Sequence, residues 1–286
     1  MTDFERDNER FLKILSFYLY SADRLVDRTA FKAVQGCGVC DDLAFALLLA
    51  EGLGVDTDAE KDFFNLYFVP SVKKLSVDDY LGDEFYWMLD ANGETFGACE
   101  FSYLTQKAYQ GFVRDDFEYF PDGRVVPKIG FFTEDYRYPA VKRNGVEWMT
   151  LLPNEINSQK KYIDAAFGKV LAYGLGLGYY IYHVAKKPNV VSVTCVDIDG
   201  EMIELFKKAI LPKFPEYIAK KIKIVQADAF VFAEGLSDGE FDYVYADIWR
   251  DVSDGKELYL KFKERERFSP KSVFGYWIED TIKYYL

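Results

Sequence analysis

Three glycines at alternate positions, Gly174, Gly176 and Gly178, follow the apolar run Val170–Tyr173. They precede a stretch with helical spacing, Tyr179–Lys187, that Pro188 stops. Strand, glycine turn and helix in that order bring backbone N–H groups and a helix N-terminus close to a nucleotide-like ligand. Three carboxylates in the same half repay comparison with that turn. Asp197, Asp228 and Asp247 each end or follow an apolar run. Ligands of open α/β sheets bind beyond the carboxyl ends of the strands, so all three should face the glycine loop across one crevice. Asp197 is then placed to accept hydrogen bonds from both ribose hydroxyls, and Asp228 to take an adenine amino group. Each could equally cap a helix or close a turn, and that plainer reading is preferred for Asp199, Asp238 and Asp242.

Strands and helices must alternate to hold such a crevice. Strands are expected at Lys169–Gly174, Val191–Asp197, Lys221–Gln226, Phe241–Ile248 and Val273–Ile278. Helices are expected at Asn157–Phe167, Tyr179–Lys187, Glu201–Leu211, Ala229–Glu234 and Lys256–Glu266. Residues 153–286 therefore read as an α/β, Rossmann-like domain whose mainly parallel sheet carries helices on both faces. Residues 1–152 read as a separate α+β domain, helical over 1–90 with a small antiparallel sheet over 96–152. Its helices are Phe4–Tyr20, Asp41–Leu53 and Ala59–Phe68, the last ended by Pro70. Asn144-Gly145 sets a hairpin between Tyr138–Lys142 and Val146–Leu152.

Composition excludes several classes. Half of the 286 residues are hydrophobic, enough to bury a full core, and the net charge of −12 argues against nucleic acid or an anionic membrane as partner. No apolar run is long enough to span a bilayer, and MTDFERDNERF lacks a signal-peptide core, so a cytoplasmic protein is expected. Four cysteines make no disulfide framework, and Cys37-Gly-Val-Cys40 reads as packing near a helix start rather than as a redox or metal site. No G-x-S-x-G or H-E-x-x-H occurs, and the single histidine, His183, lies in the glycine-loop helix, which leaves no hydrolase constellation.

A dinucleotide fold wants its third glycine one place later, where Tyr179 stands. The G-x-G-x-G form suits a cofactor without phosphates, whose amino-acid tail lies over the loop. VLAYGLGLGYY, VTCVDID, QADAF and FDYVYADIW resemble the successive motifs of class I S-adenosylmethionine-dependent methyltransferases, and in particular their spermidine-synthase-like branch, over about residues 150–260. The resemblance implies S-adenosyl-L-methionine as cofactor. Gly174, Gly176 and Gly178 would pass under its methionine part beside Tyr179. Asp197, followed by Ile198, would hold the ribose, Asp228 with Ala229 would contact adenine, and Asp247 would lie near the sulfonium and the reacting centre.

Two departures shape the functional reading. Many methyltransferases carry an acid two places before the first glycine, where Ala172 stands. Polyamine synthases follow their catalytic aspartate with roughly Asp-x-x-Asp-Pro, whereas Asp247 is followed by Ile248, Trp249, Arg250 and Asp251. The expected function is thus a methyltransferase acting on a small molecule. An aminopropyltransferase and a non-catalytic protein that keeps the fold are the alternatives. Methyl transfer needs positioning and at most a base. Asp247 is the catalytic candidate. Glu155, just before the first strand, is a candidate contact to substrate or methionine tail. His183 is more readily a helix histidine, and Trp249 suits an acceptor wall or edge packing equally. An uncovered sheet edge would invite association, so a homodimer is the expected assembly; a monomer in light scattering would count against it.

Overall fold

A computed structural model describes residues 3–20, 26–89 and 92–286. Its strands, in chain order, are β1 (Val72–Lys74), β2 (Thr95–Phe96), β3 (Cys99–Gln106), β4 (Phe112–Tyr119), β5 (Val125–Phe131), β6 (Tyr136–Arg143), β7 (Val146–Thr150), β8 (Gly168–Tyr173), β9 (Val190–Asp197), β10 (Ile222–Gln226), β11 (Tyr243–Ala246) and β12 (Val273–Tyr276). The chain forms two compact units. One comprises Met1–Tyr80 and Thr105–Arg137, the other Leu81–Leu104 and Tyr138–Leu286.

In the first unit, the Asp3–Tyr20 helix buries Phe11, Leu15 and Tyr18, one stripe at helical spacing. Phe11 packs on Phe68, and Phe45 from the Asp41–Gly52 helix stacks on Phe131 of β5 at 4.1 Å. The expected helix end before Pro70 lies further on. A π-helical stretch, Phe64–Phe68, runs into a helical turn Val69–Ser71, with proline in that turn's opening positions. A π-turn accommodates the N–H that proline lacks.

The strands between 96 and 152 divide between two sheets rather than forming one. β4 and β5 join β1 in the order β1-β5-β4, with β1 parallel to β5. β2, β3, β6 and β7 form the other, with antiparallel β2–β3 and β6–β7 pairs. The three-residue β1 carries no periodicity to announce it. The β6–β7 turn is the expected Asn144-Gly145, both residues at positive φ (+52° and +78°), the primed geometry that a tight hairpin needs.

The second unit carries the α/β sheet, order β10-β9-β8-β11-β12, with every neighbouring pair parallel. β8, β9 and β11 are mostly apolar because a parallel sheet covered by helices is buried on both faces, whereas the edge strand β10 is not fully covered. The strand order reverses at β8, between β9 and β11, and the glycine turn leaves the carboxyl end of that strand. Among the described residues, no helix is long and apolar enough to cross a membrane.

Candidate functional site

The switch point is closed by backbone. Gly174 N–H donates to Val196 O at 2.9 Å, and Asp247 N–H donates to Tyr173 O at 2.9 Å, so the ends of β8, β9 and β11 are tied together. Gly174 sits at φ +96°, and a Cβ there would overlap the Asp247 carbonyl oxygen. Glycine is required because the loop leaving β8 crosses the loop leaving β11 at backbone contact. Gly178, at φ +87°, caps the Tyr179–Lys186 helix, and a Cβ there would strike the Phe206 ring. Gly176 faces open space.

A cavity of about 620 Å³ lies over this junction within the second unit, a size suited to a small-molecule ligand. Every residue proposed from the sequence as binding or catalytic, except Gly178, lines it: Gly174, Gly176, Tyr179, Asp197, Ile198, Asp228, Ala229, Glu155 and Asp247. Gly178 shapes the loop from behind. Leu175, Leu177, Ile198, Phe230 and Trp249 supply apolar wall.

Asp197 already holds the loop. Its Oδ2 accepts from Leu175 N–H and its Oδ1 from Asp199 N–H, both at 2.8 Å. Each carboxylate oxygen keeps a lone pair free, so ribose hydroxyls could still be accepted. Burial nevertheless pushes its pKa up from the usual value. Asp228 is a helix N-cap, its Oδ1 accepting from Phe230 and Val231 N–H. That plainer role does not remove it from the cavity, since it lines the wall as well. Asp199 caps the Gly200–Ala209 helix and pairs with Arg143, Asp242 accepts from Lys169 N–H, and Asp238 pairs with Lys271, all structural.

Asp247 and Glu155 are half-buried and share the cavity. Burial raises the Asp247 pKa to about 7, against the Tyr245 hydroxyl, which donates to its Oδ2 at 3.4 Å, while the nearby Asp197 charge raises it further. Burial, with the Asp247 charge beside it, raises Glu155 to about 8. The Pro153–Ala165 helix carries Glu155 and, one turn on, Gln159, whose Nε2 donates to Asp247 Oδ2 at 3.4 Å. Proline in its first turn suits the φ of a helix start. The helix is pinned by Ser158, which donates to Asn154 O and accepts from Trp277 Nε1 at 2.7 Å. Gln159 was missed by sequence reasoning. The signal was there, in the Glu-x-x-x-Gln spacing that puts both side chains on one helix face.

His183 is not at the site. Its Nε2 pairs with Asp83 Oδ2 at 3.2 Å, and Asp83 also accepts from the Tyr179 hydroxyl and Phe85 N–H. Asp251 is exposed and caps the Val252–Lys263 helix in a capping box with Asp254. Cys37 and Cys40 are exposed free thiols and Cys99 and Cys195 buried ones. Among the described residues, no group of three or more His, Cys, Asp or Glu could hold a metal ion.

A five-stranded parallel sheet in this order, with a glycine loop and acids lining a cavity at its switch point, defines a Rossmann-like fold. Residues 159–268 match the spermine/spermidine synthase domain, so the expected likeness to the spermidine-synthase-like branch holds. A polyamine aminopropyltransferase of Leptospira interrogans is 40% identical over 83 residues, which cover 28% of this chain and 16% of that protein. One of Pyrobaculum arsenaticum is 34% identical over 96 residues, covering 32% of this chain and 33% of that protein. The chain thus matches no more than about a third of the length of these curated relatives. The spermidine synthase structure of Thermotoga maritima aligns over 56% of this chain and 62% of that one, at 17% identity and a TM-score of 0.36.

These matches correct the expected function. The methyltransferase reading, and with it S-adenosyl-L-methionine as cofactor, is overturned: both curated relatives are aminopropyltransferases. In that chemistry the decarboxylated sulfonium compound is a substrate that is consumed. Asp251 caps a helix, while Glu155, distant in sequence, places a second carboxylate in the cavity beside Asp247.

Proposed function

We propose that the second unit transfers an aminopropyl group from decarboxylated S-adenosylmethionine to a small amine. The observation that carries this reading is the pair of carboxylates, Glu155 and Asp247, in one cavity with the glycine loop. The match over residues 159–268 supports it. In this reading Asp197 takes the ribose hydroxyls and Asp228 and Ala229 the adenine. Gly174, Gly176 and Tyr179 line the path of the sulfonium side chain, and Ile198 packs on the adenosine.

The amine arrives as a cation and must lose a proton before it can attack. Asp247 is the base that takes it. The freed lone pair attacks the propyl carbon bonded to sulfur. A C–N bond forms, the C–S bond breaks, and its electron pair stays on sulfur, leaving the neutral thioether 5′-methylthioadenosine. Positioning in line supplies most of the acceleration, since the sulfonium is already a good leaving group.

Cavity charge supports the decarboxylated donor. Its lining includes Glu147, Asp197, Asp199, Asp228 and Asp247, against a single cation among the described residues, the exposed Arg250, which pairs with Asp254. A donor carboxylate would meet acids on most sides, whereas a bare ammonium tail would be attracted. Calorimetry with both donors tests this. Decarboxylated S-adenosylmethionine is expected to bind about tenfold or more tighter than the ordinary form, a difference of ~1.4 kcal/mol or above. Equal or reversed affinities would count against the reading.

A further inference from the structure

Asp83 and His183 have no part in the transfer step above, and neither is among the residues that line the cavity. Both hold a residue that does line it. The hydroxyl of half-buried Tyr179 donates to Asp83 Oδ2 at 3.1 Å. His183 stands one turn further along the same helix face, its ring 4.3 Å from that of Tyr179. Its Nε2 lies 3.2 Å from Asp83 Oδ2 without the alignment of a hydrogen bond, so the contact is electrostatic. Burial would raise the Asp83 pKa, but His183, Phe85 N–H and the Tyr179 hydroxyl outweigh it and keep the carboxyl below its ordinary value. Asp83 Oδ1 accepts from Phe85 N–H at 2.8 Å, and the fully buried Phe85 ring packs on Tyr179 and Tyr182. Next to it, Glu84 accepts from the Tyr182 hydroxyl at 2.9 Å and pairs with Lys186. Residues 83–85 thus strap one face of the glycine-loop helix, with Tyr179, Tyr182, His183 and Lys186 at i, i+3, i+4 and i+7. Of those four, only Tyr179 lines the cavity.

We propose that Asp83 and His183 are positioning residues, which set the Tyr179 ring as a wall of the cavity before a ligand arrives. The inference rests on the transferase reading of this cavity and adds to it two residues that do not line it. A tyrosine ring free to turn about its side-chain torsions must be immobilised by the ligand that packs on it, and that ordering weakens binding. Here the hydroxyl is anchored on Asp83, the Phe85 ring meets the Tyr179 ring edge-on at 87°, and His183 closes the side. The ring is ordered on folding rather than on binding. Glu84 grips Tyr182 and Lys186, so it secures the helix without holding the ring.

Calorimetry on the full chain with 5′-methylthioadenosine tests the proposal. This ligand is neutral, so removing the Asp83 charge acts on it through the Tyr179 ring rather than by direct attraction. Asp83→Ala and Tyr179→Phe should each weaken binding about fivefold, and the double variant no further, because both remove the same anchor. His183→Phe keeps a ring beside Tyr179 and should lose about threefold, a loss that disappears in the Asp83→Ala background. Glu84→Ala should lower the melting temperature and leave the affinity unchanged. The chain has one histidine, so its imidazole NMR signal reports on this clamp without assignment. The ligand should leave that signal nearly still in wild type, whose ring is already set, and shift it in Asp83→Ala, whose ring is not. A purely structural role for Asp83 would give additive losses and the same imidazole response in both proteins. Should Asp83→Ala fail to fold by circular dichroism, Tyr179→Phe with His183→Phe provides the cycle, again with a loss smaller than the sum. Additive losses, unchanged affinity in a folded Asp83→Ala or Tyr179→Phe, or a loss in Glu84→Ala equal to that in Asp83→Ala overturns the positioning role. Failure of wild type to bind 5′-methylthioadenosine at all would instead bring down the transferase reading beneath it.

Discussion

Asp247→Asn should lower kcat by about a hundredfold to ten-thousandfold, the usual contribution of a positioned general base, while leaving 5′-methylthioadenosine binding close to that of wild type. The amide keeps the size of the carboxyl and can still accept from Gln159 and the Tyr245 hydroxyl. What it loses is the capacity to take a proton. The pH profile separates that loss from a packing defect. Burial and the Asp197 charge hold the free Asp247 near pH 7, and a base must be ionised to work. Wild-type kcat/KM for the amine should therefore rise as pH passes upward through about 7. In kcat the same rise should fall at lower pH, because the bound sulfonium favours the charged carboxylate. Asp247→Asn should lack this rise. Full activity in the variant would remove Asp247 from the chemistry.

Asp197→Ala should cost the adenosyl ligand about two orders of magnitude in affinity. Two hydrogen bonds from ribose hydroxyls to a carboxylate are worth ~3 kcal/mol together, and each 1.4 kcal/mol is tenfold. The substitution also orphans Leu175 and Asp199 N–H, so some of the loss would come from a loosened glycine loop. A ligand cycle divides the two contributions. Removing both ribose hydroxyls from 5′-methylthioadenosine should weaken binding to wild type strongly and to Asp197→Ala hardly at all. Equal losses in both proteins would refute the ribose contact and leave Asp197 a loop-holding residue only.

Much of this site was legible because it is local in sequence. A strand, a glycine turn and a helix announce Gly174 to Tyr179, and the acids Asp197, Asp228 and Asp247 stand at the ends of apolar runs that could only be sheet interior. What the sequence hid is non-local. β1 is three residues long and borrows its register from β5, so nothing in Val72–Lys74 marks it as a strand. The division of the strands between 96 and 152 into two sheets depends on partners far along the chain. Gln159 precedes the first strand of the α/β sheet, and the packing of its helix against Trp277 helps bring it to Asp247. Judged by the run of residues after Asp247, the acceptor end lacked its second acid. Judged in space, Glu155 places a second carboxylate in the cavity, while the change from methyl to aminopropyl transfer rests on the aminopropyltransferase relatives.

The most direct measurement is to incubate the protein with decarboxylated S-adenosylmethionine and 1,4-diaminobutane and to identify the products by mass spectrometry. The expected result is a triamine heavier by one aminopropyl unit, formed in step with one equivalent of 5′-methylthioadenosine. The absence of both, or a methylated amine formed from ordinary S-adenosylmethionine, would contradict aminopropyl transfer.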